Sequence, residues 1–415
     1  MRIVRSLVPA LVATAGLAAP LAVVPTAQAA AVSCGGLRAT IVGNNKANVL
    51  TGTARRDVIV ARGGNDTIRG IGGNDVICAG DGADTVAGGD GDDRLFGETD
   101  SLRIDQFGRV LKKGDTITGG AGDDTIDLGY DPRAASDGTR VVLDGVSYAQ
   151  APAPVVVDFR AAGTVPVAAD GNDTVTGYDD GVRVVGTALG DTIKGTNSDD
   201  AIFVRGGDDT VFGRGGDDTI AADASGATGN DRLYGDAGDD DLSGTLGNDQ
   251  FVGGSGNDTL TSASQLRQVM RGGSGLDTIT FPIPGESGFV AKGYGGQDKL
   301  RLLPNSNLAI KPTVRIDQVR KTTIRDLPYT IEGVINGFSD VILPARALSV
   351  FKGSNESEVI TAHPDYRAMI YGRGGADVLT GSDEPDRLEG GNGFDIVRGR
   401  GGNDTCKSAE KRSSC

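Results

Sequence analysis

The chain has no tryptophan, one histidine, three methionines and few aromatic rings, which make up 5% of its 415 residues. An ordinary globular core leans on large aromatics for burial, so Val, Ile and Leu must carry that role here. The one histidine, His363, stands beside Pro364 in a polar stretch, where it reads as a surface loop residue. No His-Glu-x-x-His run exists, and no Gly-x-Ser-x-Gly elbow with its partners can be assigned. A zinc protease or serine hydrolase is therefore not expected, and the chain reads as a non-enzyme. Positive charge is also in deficit. A net charge of −15 argues against binding nucleic acid or anionic lipid. It fits carboxylates gathered for a hard cation, although acidity also serves solubility.

Long apolar runs are confined to the N-terminus. Arg2 and Arg5 precede an almost unbroken apolar stretch from Leu7 to Val24, and Ala27-Gln28-Ala29 is a small-x-small cleavage site. Residues 1–29 are expected to be a signal peptide. Its removal takes two positive charges from the −15 total and leaves about −17. No later run approaches the ~20 residues that span a bilayer, so an exported, extracellular protein without a membrane span is expected. Only four cysteines occur: Cys34, Cys78, Cys406 and Cys415. In an exported chain they are expected to pair. Four cysteines allow three connectivities; sequence neighbourhood favours Cys34–Cys78 and Cys406–Cys415. A zinc site is the alternative, without CxxC spacing or histidine partners to support it.

Glycine is what the chain has in excess, with 66 residues, and aspartate recurs at fixed spacing. Asp57, Asp66, Asp75, Asp84 and Asp93 are each nine residues apart. The spacing returns in Asp191, Asp200, Asp209 and Asp218, in Asp231, Asp240, Asp249 and Asp258, and in Asp377, Asp386, Asp395 and Asp404. Asp115 and Asp124 form a shorter pair. Asp173, Asp277 and Asp298 are single rows, and Asn48 and Glu358 take the same place in degenerate rows. Two residues after each anchor stands an apolar side chain. These are Leu50, Ile59, Ile68, Ile77, Val86 and Leu95, then Ile117, Ile126, Val175, Ile193, Ile202, Val211 and Ile220. Leu233, Leu242, Phe251, Leu260, Ile279, Leu300 and Ile360 follow, and Leu379, Leu388, Val397 and Cys406 close the series. The residues before each anchor are small, as in Gly63-Gly64-Asn65-Asp66. The unit is therefore G-G-x-G-x-D-x-U-x, with U apolar.

Glycines permit positive φ and a tight turn with carbonyls pointing inward. The three residues x-U-x then form a short strand with U facing in and its neighbours out. Each repeat reverses direction, so two make a coil of eighteen residues. Stacked coils bring aspartates eighteen apart together, with turn carbonyls between them. Such an oxygen cage suits Ca²⁺ better than Mg²⁺. The competing reading is that each Asp only caps its own turn. Nine pairs qualify within unbroken blocks: Asp57–Asp75, Asp66–Asp84, Asp75–Asp93, Asp191–Asp209, Asp200–Asp218, Asp231–Asp249, Asp240–Asp258, Asp377–Asp395 and Asp386–Asp404.

These motifs resemble the RTX, or haemolysin-type calcium-binding, repeat family. The resemblance implies an all-β parallel β-roll, or β-solenoid, that binds several Ca²⁺ ions through its anchor aspartates. One departure is the signal peptide, because typical members leave through a dedicated one-step exporter. The expected organisation is repeats at 30–127 with an insertion at 101–113, calcium-poor coils at 128–185, and central repeats at 186–280. A calcium-poor stretch follows at 281–352, read as coils or a small domain, and then C-terminal repeats with a disulfide-closed cap at 353–415. The favoured role is a calcium-stabilised structural or extracellular binding protein whose macromolecular partner the residues do not identify. An adhesin using outward threonines such as Thr67, Thr85, Thr192 and Thr210, or a glycan-active enzyme on the solenoid, are the alternatives.

Overall fold

The computed structural model describes residues 32–98, 114–129, 143–159, 163–167, 171–177, 181–223, 227–264, 266, 268–282, 289–292, 298–303, 313–317, 321–326, 329–336, 338–342, 348–353, 357–362, 364 and 367–415. The expected signal peptide, the 101–113 insertion and His363 lie outside these residues.

The described residues form short strands and turns, without a helix. The x-U-x triplets become strands such as Val58–Val60, Val76–Cys78 and Arg94–Phe96, which stack in parallel. Ile59 lies on Ile77 and Ile77 on Leu95, each one coil of eighteen residues apart. On the opposite face Leu50 lies on Ile68 and Ile68 on Val86. The apolar ladder between the two faces is the core. All the inward positions read from the sequence are buried except Leu50 and Cys406. Those two sit partly buried in the end coils, where a neighbour is missing on one side.

One face is a continuous parallel stack from Val49–Thr51 to Lys411–Ser413. Its two end strands each pair with a single neighbour among the described residues, so the sheet is open and not a barrel. Insertions do not interrupt it. Val86 lies directly on Ile117, Ile117 on Val146, and Val146 on Val184. Leu300 lies on Val341, and Val341 on Ile360. The second face is divided into sheets of 7, 9 and 5 strands. The divisions fall where antiparallel excursions occur, Gly163–Val167 against Gly171–Thr176 and Lys321–Asp326 against Tyr329–Asn336.

Each end carries a disulfide-bonded segment. Ser33–Cys34 and Leu37–Arg38 form an antiparallel hairpin, tied by the Cys34–Cys78 disulfide. It covers Val58, Val60, Val76 and Cys78, which point away from the coil interior yet are buried. The residues flanking U point out as expected, but there they meet the hairpin in place of solvent. At the other end Cys406 is bonded to Cys415. The intervening strand Lys411–Ser413 places Arg412 on Val397, ending the apolar ladder with a charged residue.

Candidate metal centres

The anchor aspartates of the nine-residue rows stand immediately before a strand, and each carboxylate reaches back to the preceding coil. The Asp57 N–H donates to Oδ1 of Asp75 at 2.7 Å, and the Asp75 N–H to Oδ1 of Asp93 at 2.7 Å. All nine pairs read at eighteen-residue spacing are joined in this way. The aspartates therefore do not simply cap their own turns; they link neighbouring coils through charge-assisted hydrogen bonds. Because anchors alternate between strands of the two faces, the links form two ladders, one along each edge of the roll.

The ladders extend past the eighteen-residue blocks. Asp84 donates to Asp115 and Asp93 to Asp124 across the insertion. Asp209 donates to Asp231 and Asp218 to Asp240. The single rows take part too, at Asp173, Asp277 and Asp298. Three acidic residues were missed by spacing alone. Asp144 accepts the Asp115 N–H at 2.6 Å, and Glu410 accepts the Asp395 N–H at 2.6 Å. The third is Asp223. Asp144 did carry a signal, since it stands two before Val146, but it lacks the glycine turn that precedes other anchors.

The second carboxylate oxygen separates two kinds of turn. In Gly-Thr or Gly-Ser turns it is satisfied locally. The Thr196 N–H donates to Oδ2 of Asp200 at 2.6 Å and its hydroxyl to Oδ1 at 3.0 Å. Thr53 with Asp57, Thr187 with Asp191 and Ser382 with Asp386 repeat the arrangement. In the glycine-rich turns Oδ2 has no donor. This holds for Asp66, Asp75, Asp93, Asp124, Asp218, Asp240 and Asp258, each buried. A buried, unpartnered carboxylate oxygen is costly unless a cation meets it.

The glycine five residues before the anchor makes the space for such a cation. A Cβ on Gly70 would overlap both Oδ2 of Asp75 and the Gly88 carbonyl oxygen of the next coil. The same two kinds of oxygen converge at Gly88, Gly213, Gly235 and Gly253. Two residues before the anchor, Gly73 has φ 93° and Gly91 φ 128°, which turn the chain sharply. The residue four before the anchor also takes positive φ, and there the chain tolerates Ile71, Arg62 and Arg214. A carboxylate oxygen and a carbonyl oxygen held by adjacent coils suit Ca²⁺, which takes roughly six to eight oxygens at about 2.3–2.6 Å in flexible geometry.

Burial raises the carboxylate pKa values, with neighbouring carboxylates adding to the effect. Asp93 rises to about 7, Asp124 and Asp209 to about 8, and Asp218 to about 9. Without a cation these groups hold protons far above the usual carboxylate range. Arginine and lysine pair elsewhere, on the outer surface, as Arg214 and Lys194 do with Asp158.

The outward threonines do not form a long row. Thr67, Thr85 and Thr116 align, but Gly145 and Arg183 follow them on the same face. No helix among the described residues is long and apolar enough to cross a membrane.

The family described as the RTX calcium-binding nonapeptide repeat matches residues 42–77, 69–101, 113–129, 185–220, 225–260 and 370–406. No curated protein matches the chain.

Proposed function

Because the chain belongs to the RTX calcium-binding repeat family, whose nonapeptides bind Ca²⁺, we propose that it is an exported, extracellular β-roll that folds around rows of these ions. The observation that carries this reading is the buried Oδ2 of Asp75, Asp93, Asp218, Asp240 and Asp258, which accepts no hydrogen bond and meets a carbonyl of the next coil at a glycine without Cβ. Ions then lie along both edges, each shared by two coils. Asp66, Asp75, Asp84, Asp93, Asp115, Asp124, Asp209, Asp218, Asp231, Asp240, Asp249, Asp258, Asp377, Asp395 and Asp404 supply the carboxylates. Asp57, Asp191, Asp200 and Asp386 serve their Gly-Thr or Gly-Ser turns instead, because Thr or Ser already donates to them.

The role is structural. Calcium neutralises the stacked carboxylates and so couples each coil to the next. Residues 128–185 and 281–352 act as calcium-poor coils that carry longer loops, a reading supported by the ladder running through Val146, Leu300 and Val341. Export through the N-terminal signal is supported by the two disulfides, which persist in oxidising compartments. The test is circular dichroism and calorimetry of the chelated protein titrated with Ca²⁺ or Mg²⁺. Strand signal and melting temperature should rise cooperatively with calcium, with Kd on the order of 10⁻⁴–10⁻³ M, and much less with magnesium. A chelated protein already as ordered and as heat-resistant as the calcium form would defeat the reading.

A further inference from the structure

Asp223 lies five residues after Asp218 and belongs to no nine-residue row. It follows the strand Thr219–Ala221 with a left-handed φ of 55° and is fully buried. Its carboxylate approaches those of Asp231 and Asp249, with ligand atoms of all three within 4.8 Å of one another. Neither oxygen of Asp223 accepts a hydrogen bond of good geometry, although the Gly229 N–H approaches it and its carboxyl group lies close enough to Asp231 to share a proton. Oδ2 of Asp231 and Oδ2 of Asp249 are buried without donors as well.

The turn before Asp249 makes this arrangement unexpected. Gly244-Thr245 has the sequence of the turns in which Thr satisfies its own aspartate. Here the Thr245 hydroxyl donates instead to the Asp223 carbonyl at 2.6 Å. Asp249 is thereby left open toward Asp223 and Asp231. On the far side of Asp249 the ladder position is taken by neutral Gln268, in register with it through the pairing of Gln250 with Val269. The Gln268 amide donates to the Gly247 carbonyl at 2.8 Å, and its own oxygen is buried without a partner. Three buried carboxylates thus converge, with the neutral Gln268 amide beside Asp249 and, among the described residues, no basic side chain bonded to them.

We propose that Asp223, from outside the repeat, joins the ladder pair Asp231–Asp249 in a Ca²⁺ site tighter than those of the glycine-rich turns and filled before them. The inference rests on the calcium reading above and adds to it one ligand, Asp223, that the repeat does not supply. Its ligands are three side-chain carboxylates, whereas the repeat turns depend largely on carbonyls. Calcium affinity rises with the number of charged ligands and with their rigidity.

Equilibrium dialysis of the full chain against radioactive calcium would test this. One ion per chain should bind at free calcium at least about tenfold below the rest. Asp223→Asn should remove that ion and leave the weaker class, whereas Asp218→Asn should thin the weaker class and keep the tight ion. A wild-type chain with only the weak class overturns this site alone, and a chain that binds no calcium overturns the general reading too. If Asp223→Asn does not fold, anomalous scattering from wild-type crystals grown with calcium decides the matter. A peak bonded to Asp223 supports the site; filled repeat turns without that peak refute it.

Discussion

The Asp75 N–H donates to Oδ1 of Asp93 at 2.7 Å, while Oδ2 of Asp93 has no donor. One carboxylate thus does two jobs: half of it binds coils together, and half of it needs a cation. The first job draws aspartates into close rows, and the second makes those rows unfavourable without metal.

The pH dependence of the metal-free protein follows. Asp124 and Asp209 rise to about 8 and Asp218 to about 9 in the fold, chiefly through desolvation, against ordinary carboxylate values when unfolded. The folded state therefore holds more protons across the interval from about pH 4 to about pH 8. Stability from these groups is fully present below about pH 4 and is lost as pH rises through the folded values. Chelated protein should gain strand signal on acidification from pH 8.5 to 4.5, and Asp218→Asn should stabilise it at pH 8.5. Calcium binding should show the reverse trend, needing more calcium at pH 5.5 than at pH 8. Circular dichroism across this range checks it; a chelated protein that loses strand on acidification contradicts the account.

Two glycines of one turn should respond in opposite ways. A Cβ on Gly70 would overlap Asp75 Oδ2 and the Gly88 carbonyl, whereas a Cβ on Gly72 would meet nothing nearer than 3.5 Å. Gly70→Ala should cost about 1–3 kcal/mol by overpacking and abolish calcium binding at that turn. Gly72→Ala should be tolerated. Thermal melts with calcium separate them, and equal losses would mean that the oxygen-lined space is not what Gly70 protects.

The anchor rows and inward residues are legible in the sequence because a solenoid repeats its environment. Asp66 and Ile68 solve the same problem as Asp84 and Val86, so the same residue types recur. The cysteine pairing is legible from chain order, since each bridge ties a terminal segment to coils near it in sequence. What escapes is set by contacts that do not repeat. Asp144 and Glu410 join the ladders after insertions or in the tail, where spacing carries no information. Val60 and Val76 face out from their coil and are buried by a hairpin that occurs once. The distinction between Thr196 and Ile71 turns was present in the residues, but its meaning depends on where the hydroxyl and backbone point.

That distinction makes Thr196 a test of the two turn types. Its hydroxyl and N–H supply Asp200 with the partners that a cation would provide elsewhere. Thr196→Val removes the hydroxyl donor from a buried carboxylate and should cost about 1–3 kcal/mol. The loss should be similar with and without calcium. Asp218→Asn, in a glycine-rich turn, should weaken only the calcium-bound form. Paired denaturant titrations with calcium and with chelator measure both. A Thr196→Val loss that vanishes in calcium would place a metal at that turn as well.

The Cys34–Cys78 bridge should matter more than its position at one end suggests. It closes a segment of 44 residues, for which loop entropy gives about 3–4 kcal/mol. It also pins the hairpin over Val58, Val60 and Val76, which would otherwise present an apolar patch on the outer face of the N-terminal coils. Uncovered sheet ends and apolar patches invite association. Replacing both cysteines with serine should therefore have two effects, a lower melting temperature in the N-terminal coils and self-association of the calcium-loaded protein. Calcium should not rescue either, because the carboxylates of Asp75 and Asp93 bond coil to coil and not to the hairpin. Limited proteolysis should cut first near residues 32–45, with the coils beyond Asp115 remaining intact. Sedimentation and proteolysis of the double variant in saturating calcium are the measurements. A monomeric variant with unchanged cleavage would show that the hairpin holds its place without the bond.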